Sequence, residues 1–224
     1  MAKYGVIFDM DGVLVDSYRA HFESWNRMLR PRGLEMTEQQ FADTFGWTSR
    51  EIIPHFWPDS VREADIATMD AEKEAAYRDV IAEDFPEMDG AGELLASLHA
   101  AGAKLAVGSS GPPENVEAVL KFLPHAELFA ATTNGREVER GKPDPQVFLL
   151  CASKLSLAPE RCAVVEDAPS GIEAARRAGM AAIAITGTAP REKLAEAGAD
   201  LVVDSLRELT AERIFALIDT RASA

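Results

Sequence analysis

Short apolar runs, each cut off by a polar cluster, recur along this chain. Residues 4–8 (YGVIF) stop at Asp9-Met10-Asp11-Gly12, and residues 104–108 (KLAVG) stop at Ser109-Ser110-Gly111. Residues 161–165 (RCAVV) end at Glu166-Asp167, and residues 181–185 (AAIAI) end at Thr186-Gly187. A weaker run at 201–203 precedes Asp204, and residues 127–131 lead towards Gly141-Lys142-Pro143. Apolar runs of this length predict strands buried on both faces. Between them lie stretches with apolar residues at helical spacing: 90–101 ahead of Gly102, 113–122, 144–155, and 170–178 closed by Gly179. This alternation predicts an α/β protein with a parallel sheet covered on both faces. Ligands of such sheets bind beyond the carboxyl ends of the strands. Every polar cluster above sits at that end of its run.

Residues 16–85 depart from this pattern. They hold no strand-like run, are rich in aromatics (Phe22, Trp25, Phe41, Phe45, Trp47, Phe56, Trp57, Tyr77), and break at Pro31-Arg32-Gly33, Pro54 and Pro58. The expectation is about four helices. They would form a small all-helical cap subdomain over 16–86, inserted after the first strand into a core made of 1–15 and 87–224. Trp25, Trp47 and Trp57 read as packing within that subdomain. Residues 221–224 read as a frayed tail.

Composition narrows the function classes. A chain of 224 residues with 47% hydrophobic and 27% charged content can bury a sizeable core. Its net charge of −14 argues against nucleic acid and against anionic membranes as partners. The longest apolar stretch, 178–185, is far short of the ~20 residues of a bilayer span, and Met1-Ala2-Lys3 leads straight into the first strand with no leader. A cytoplasmic protein is the expectation, monomeric by default with a dimer as the alternative. Cys151 and Cys162 are too few for a disulfide scaffold or a four-cysteine metal site and read as buried reduced thiols.

The polar clusters make chemical sense as one site. Asp9 and Asp11 alternate at a strand exit, so their side chains can point the same way while Met10 faces the core. Gly12 permits a tight turn and a close approach of backbone to ligand. Two neighbouring carboxylates, joined by Glu166 and Asp167, repel one another unless a cation lies among them. A hard divalent ion such as magnesium suits oxygen ligands of this kind. Lys142, within the stiff Gly141-Lys142-Pro143-Asp144-Pro145 segment, supplies a positive charge. Ser109 supplies a hydroxyl, and its neighbours supply backbone N–H groups at a helix start. Together these would neutralise a transferring phosphoryl group while one aspartate attacks phosphorus and the other moves the proton.

Asp9-Met10-Asp11-Gly12-Val13-Leu14-Val15-Asp16-Ser17 is similar to the first motif of the haloacid dehalogenase superfamily. Ser109, Lys142 and Glu166-Asp167 resemble its second, third and fourth motifs in order and spacing. The resemblance covers essentially the whole chain and implies a Rossmann-like three-layer core, Mg2+ as cofactor and a small phosphorylated metabolite as substrate. It implies Asp9 as nucleophile and metal ligand, and Asp11 as acid/base with its backbone carbonyl on the metal. Glu166 and Asp167 would complete the metal shell, and Ser109, Ser110 and Lys142 would hold phosphate. Dehalogenation itself is disfavoured, since members that perform it generally lack the second aspartate.

A helical cap after the first motif is similar to the branch containing β-phosphoglucomutase, phosphoglycolate phosphatase and sugar-phosphate phosphatases. Residues 108–115 (GSSGPPEN) and 166–172 (EDAPSGI) resemble that branch. Ser17, His21, Arg50 and Lys73 resemble cap positions that contact a sugar phosphate or position the acid. Plainer readings stand beside them: Ser17 as an N-cap, and Lys73 as a solvated lysine on an amphipathic helix. The resemblance favours a phosphatase. A mutase, which passes the phosphoryl group to a sugar hydroxyl instead of water, is the alternative. Gly46-Trp47-Thr48 where a Gly-Val dipeptide is expected, and Ser17 where threonine is usual, weigh against it. A non-enzymatic phospho-acceptor module is a remote third, being about half as long and without a cap.

Overall fold

The computed structural model describes residues 3–44 and 47–223. Six strands form one sheet: β1 Gly5–Phe8, β2 Lys104–Gly108, β3 Phe129–Thr133, β4 Cys162–Glu166, β5 Ala181–Ile185 and β6 Leu201–Val203. Their order is β3-β2-β1-β4-β5-β6, and every neighbouring pair is parallel. β1 is central, with Phe8 opposite Val107 of β2 and Val165 of β4. β1, β4 and β5 are buried along their whole length, which is why their sequences are apolar without alternation.

The chain folds as two compact units, Met1–Asp16 with Pro86–Ala224, and Ser17–Phe85. The second unit is helical: α1 Tyr18–Leu29, α2 Glu38–Asp43, α3 Ser49–Phe56 and α4 Ile66–Glu83. Its core gathers Trp25, Met28, Leu29, Phe41, Ile53 and Met69. A turn at Arg30–Arg32 closes on Gly33 as the proline-glycine signal predicts, but Pro54 does not break the chain. It lies inside α3, and a proline near a helix end removes a single ladder bond, which the capping box of Thr48 and Glu51 offsets at the other end. Trp25 and Trp57 pack in this core, whereas Trp47 is 48% exposed, with its ring edge-on to His55 at 5.5 Å between centres. That corrects the packing expectation for Trp47.

In the first unit, α5 Ala91–Ala100, α6 Pro113–Phe122, α7 Gln146–Leu155, α8 Pro169–Arg177, α9 Arg191–Glu196 and α10 Ala211–Ala222 complete the fold. α7 and α8 touch each other and the sheet, as do α5 and α10, so the helices form two layers around it. The result is the Rossmann-like three-layer α/β architecture expected from the alternation. β3 begins two residues later than the sequence suggests, because a 3-10 turn takes up Ala126–Leu128 and the β-branched Thr132 and Thr133 prolong the strand. The C-terminus is not frayed from residue 221: α10 runs to Ala222, and Arg221 Nη1 donates to Asp200 Oδ1 at 2.7 Å. Cys151 and Cys162 are buried and unpaired, and burial pushes their thiols up to about 11 and about 12. Among the described residues, no helix is long and apolar enough to cross a membrane.

Candidate active site

The site forms where β1 and β4 end side by side. Asp9 follows β1 directly, and its N–H still donates to Val165 O at 2.9 Å, so its backbone is fixed by sheet pairing. Met10 is fully buried, Asp9 is 8% exposed and Asp11 is half-buried, matching the predicted alternation. Glu166 is the last residue of β4 and Asp167 the next; both are buried. One oxygen from each of Asp9, Glu166 and Asp167 lies within 4.8 Å of the others. The Asp11 carboxylate is not part of that trio.

Lys142 joins this cluster from far along the chain. Its ammonium donates to Asp9 Oδ1 and, at 2.7 Å, to Glu166 Oε1, while sitting 4.9 Å from the centre of the Phe148 ring. The peptide bond between Lys142 and Pro143 is cis. Glu166 is held at both oxygens, since Oε2 accepts from Asp167 N and Ala168 N at 2.8 Å each. Two glycines make room for this packing. A Cβ on Gly171, in the first turn of α8, would stand 1.7 Å from Glu166 Oε1, and one on Gly12 would stand 2.0 Å from Asp167 Oδ2. The sequence reading found Gly12 but missed Gly171; its signal was a glycine five residues past Glu166, early in a helix that has no need of one.

Electrostatics show the consequence of crowding these groups. Burial, then the negative charges of Glu166 and Asp11, raise the Asp9 carboxyl to about 7 in spite of Lys142. Burial, Glu166 and Asp9 push Asp167 well above the usual carboxylate range. Lys142 is pushed up by Asp9 and Glu166, against the opposing effect of burial. One ammonium does not balance three buried carboxylates. A divalent cation fits this all-oxygen donor set, and magnesium is the hard ion that such sets favour.

Ser109 follows β2, the neighbour of β1, and is buried; its N–H donates to Thr133 O at 3.0 Å. Its Oγ accepts from Gly111 N at 3.0 Å. Ser110 is exposed, and its carbonyl lies 2.3 Å from where a Cβ on Gly135 would stand. The start of α6 offers fewer donors than expected. Pro112 and Pro113 carry no N–H, and Gly111 N is engaged by Ser109.

The helical unit has its own polar cluster. His21 stacks on Tyr77 with ring centres 4.2 Å apart, and Lys73 Nζ lies 3.1 Å from His21 Nδ1 and 2.7 Å from Glu74 Oε1. Lys73 is buried, so the reading as a solvated lysine is wrong. Ser17 is buried at the N-cap of α1 without making a capping bond, and its Oγ has no hydrogen-bond partner. Arg50 is exposed in the first turn of α3. Phe45 and Gly46 lie outside the described residues.

Residues 6–185 match the family model described as haloacid dehalogenase-like hydrolase. The chain is 36% identical to hexitol phosphatase A of Escherichia coli (strain K12), over 92% of its own length and 93% of the relative's. It is 33% identical to validoxylamine A 7'-phosphate phosphatase of Streptomyces hygroscopicus subsp. limoneus, over 91% and 94%. Among solved structures it resembles a β-phosphoglucomutase from Clostridium difficile, with a TM-score of 0.83, 26% identity and full coverage of both chains. The chain belongs to the haloacid dehalogenase-like hydrolases and, by its curated relatives, to their phosphatases.

Proposed function

We propose that this chain is a magnesium-dependent phosphatase that hydrolyses a small phosphorylated sugar or sugar alcohol through an aspartyl-phosphate on Asp9. One observation carries the reading: Asp9, Glu166 and Asp167 form a buried carboxylate trio at the strand ends, with Lys142 bonded to Asp9. Asp9, Glu166, Asp167 and the Asp11 carbonyl would hold magnesium, which supplies positive charge to the phosphoryl oxygens when bound. In the first step a carboxylate oxygen of Asp9 attacks phosphorus and the ester P–O bond breaks. Asp11 gives its proton to the departing alkoxide oxygen. In the second step Asp11 takes a proton from water, the oxygen attacks phosphorus, and the acyl-phosphate bond breaks to release phosphate and restore Asp9. Lys142 and the Ser109 hydroxyl stabilise the charge on the transferring group, with Ser110 at its edge.

The helical unit is the cap in this reading, with boundaries near 16 and 86, and Ser17, His21, Arg50 and Lys73 on its substrate side. The names of the relatives support carbohydrate phosphates as the substrate class. The full-length likeness to a β-phosphoglucomutase, in sequence as well as in fold, favours a mutase reading. Phosphate release over a panel of sugar phosphates, hexitol phosphates, phosphoglycolate and nucleotides, with and without magnesium, tests the proposal. Turnover confined to carbohydrate phosphates and dependent on magnesium is expected. Isomerisation that requires a sugar bisphosphate, without net phosphate release, would replace the hydrolase by the mutase.

A further inference from the structure

Lys142 reaches the site from a loop whose incoming arm is exposed. Val138 packs against the core beyond β3, residues 139–141 are exposed, and α7 begins at Gln146 with Val147 and Phe148 buried. The Lys142 side chain is nonetheless only 9% exposed, bonded to Asp9 and Glu166 and lying 4.9 Å from the centre of the Phe148 ring. A flexible four-carbon stem holds its charge in one place only if the backbone beneath it is held as well.

Gln146 ties the two arms of this loop together. Its side chain turns back from the first turn of α7, and Oε1 accepts from Glu139 N at 2.9 Å and from Arg140 N at 3.2 Å. Within the clasp, Asp144 N donates to Gly141 O at 3.0 Å and closes a turn around Lys142 and Pro143. Asp144 Oδ1 accepts from Gln146 N at 3.1 Å, and its Oδ2 pairs with Arg140 Nε at 3.0 Å. Arg177 of α8 donates to Pro143 O at 3.1 Å. The Arg140 side chain is 77% exposed, so its ion pair contributes little in water. The two bonds to the Gln146 amide oxygen are the main link between the exposed arm and the anchored one.

We propose that Gln146 is a positioning residue for Lys142: by accepting from the amides of Glu139 and Arg140 it closes the 139–146 loop and holds the ammonium where the phosphoryl group meets Asp9. This rests on the phosphatase reading above and assigns a residue outside the four motif clusters. Both bonds need only an acceptor oxygen at that reach, so glutamate can replace glutamine and leucine cannot.

The test is calorimetric titration of inorganic phosphate into the full-length protein at saturating magnesium chloride, for the wild type, Gln146→Leu and Gln146→Glu. Turnover is followed on the carbohydrate phosphate that the wild type hydrolyses fastest. The leucine variant is expected to weaken phosphate binding about 10-fold or more and to lower kcat/KM about 10- to 100-fold, the usual cost of misplacing a catalytic group. The glutamate variant should return both close to the wild-type values. In a Lys142→Met background, Gln146→Leu should cost no further activity, because the residue acts through the lysine. A role confined to stability would lower the unfolding temperature and leave the phosphate affinity of the folded protein unchanged. That result overturns the assignment, as does equal loss in Gln146→Glu or a full additional loss beside Lys142→Met. A wild type that neither binds phosphate nor hydrolyses any member of the panel would overturn the phosphatase reading and this assignment with it, and the first titration tells the two failures apart.

Discussion

Glu166 Oε1 occupies the space that a Cβ on Gly171 would fill, 1.7 Å from its ideal position. The carboxylate lies against the first turn of α8 and reaches Lys142 from there, so Gly171 sets the position of Glu166 without touching any ligand itself. Gly171→Ala should push the carboxylate off Lys142 and out of the trio. Magnesium affinity is expected to fall about 10- to 100-fold. Alanine favours the helix by about 1 kcal/mol over glycine, so α8 itself should survive. Magnesium titration alongside circular dichroism checks both halves, and unchanged affinity would show that Glu166 relaxes without loss.

Asp9→Asn removes the attacking oxygen's charge while keeping its shape. Turnover should drop by about four orders of magnitude or more, as for other lost nucleophiles, with an unaltered circular dichroism spectrum. Asp11→Asn should act differently. It removes proton transfer, a contribution of about 10²- to 10⁴-fold, and should slow formation and hydrolysis of the phosphoenzyme. Intact-mass spectrometry on quenched reactions, and steady-state phosphate release, separate the two variants. Near-normal release by Asp9→Asn would end the aspartyl-phosphate mechanism.

Lys142 is nearly buried and paired with two buried carboxylates. Lys142→Met should leave those charges uncompensated, a change that destabilises by about 3–5 kcal/mol when one partner of a buried pair is lost. The loss should be larger at pH 8 than at pH 5, because protonation relieves it. Lys142→Arg should not rescue activity, since the guanidinium is a planar fork too large for a pocket fitted to an ammonium. Urea unfolding of the metal-free protein at both pH values measures this directly.

The carboxyl of Asp9 is raised from 3.8 to about 7 in the folded chain. A raised folded-state value means that the native protein keeps its proton where the unfolded chain has lost it. The contribution to stability is therefore full below 3.8 and is lost as pH rises through about 7. Asp167 shifts in the same direction. Magnesium bound as proposed would offset the penalty by supplying positive charge, and its binding would release protons. The rise in Tm on adding magnesium should accordingly be small at pH 5 and large at pH 8. Equal shifts at both pH values would mean that the carboxylates are not the binding site.

Several features of this molecule are local and could be read along the chain. Apolar runs such as residues 181–185 must be buried on both faces, and polar residues that interrupt them must lie at the strand ends. Asp9, Asp11, Ser109, Glu166 and Asp167 stand out in the sequence for that reason as strand-end polar groups, and Lys142 as a charge within a proline-stiffened segment. The four-helix count and the reduced thiols came from the same kind of signal. Pro54, the start of β3 and the last turn of α10 were misjudged, because each depends on what surrounds the segment.

Tertiary structure alone decided the strand order that sets β1 beside β4, and with it the convergence of Asp9 and Glu166 from positions far apart in sequence. It decided that Lys73 is buried against His21 and Glu74 while Trp47 is exposed, since helical spacing does not say what a face meets. The clearance that Gly171 leaves for Glu166 became visible only in three dimensions, because the space a glycine vacates is a relation to a distant side chain that no local pattern contains. The sequence determined the chemical groups and the strand ends on which they sit. Their mutual distances and their burial follow from packing, and burial makes each unpaired carboxylate costly, which strengthens the case for a cation that the charges alone suggest.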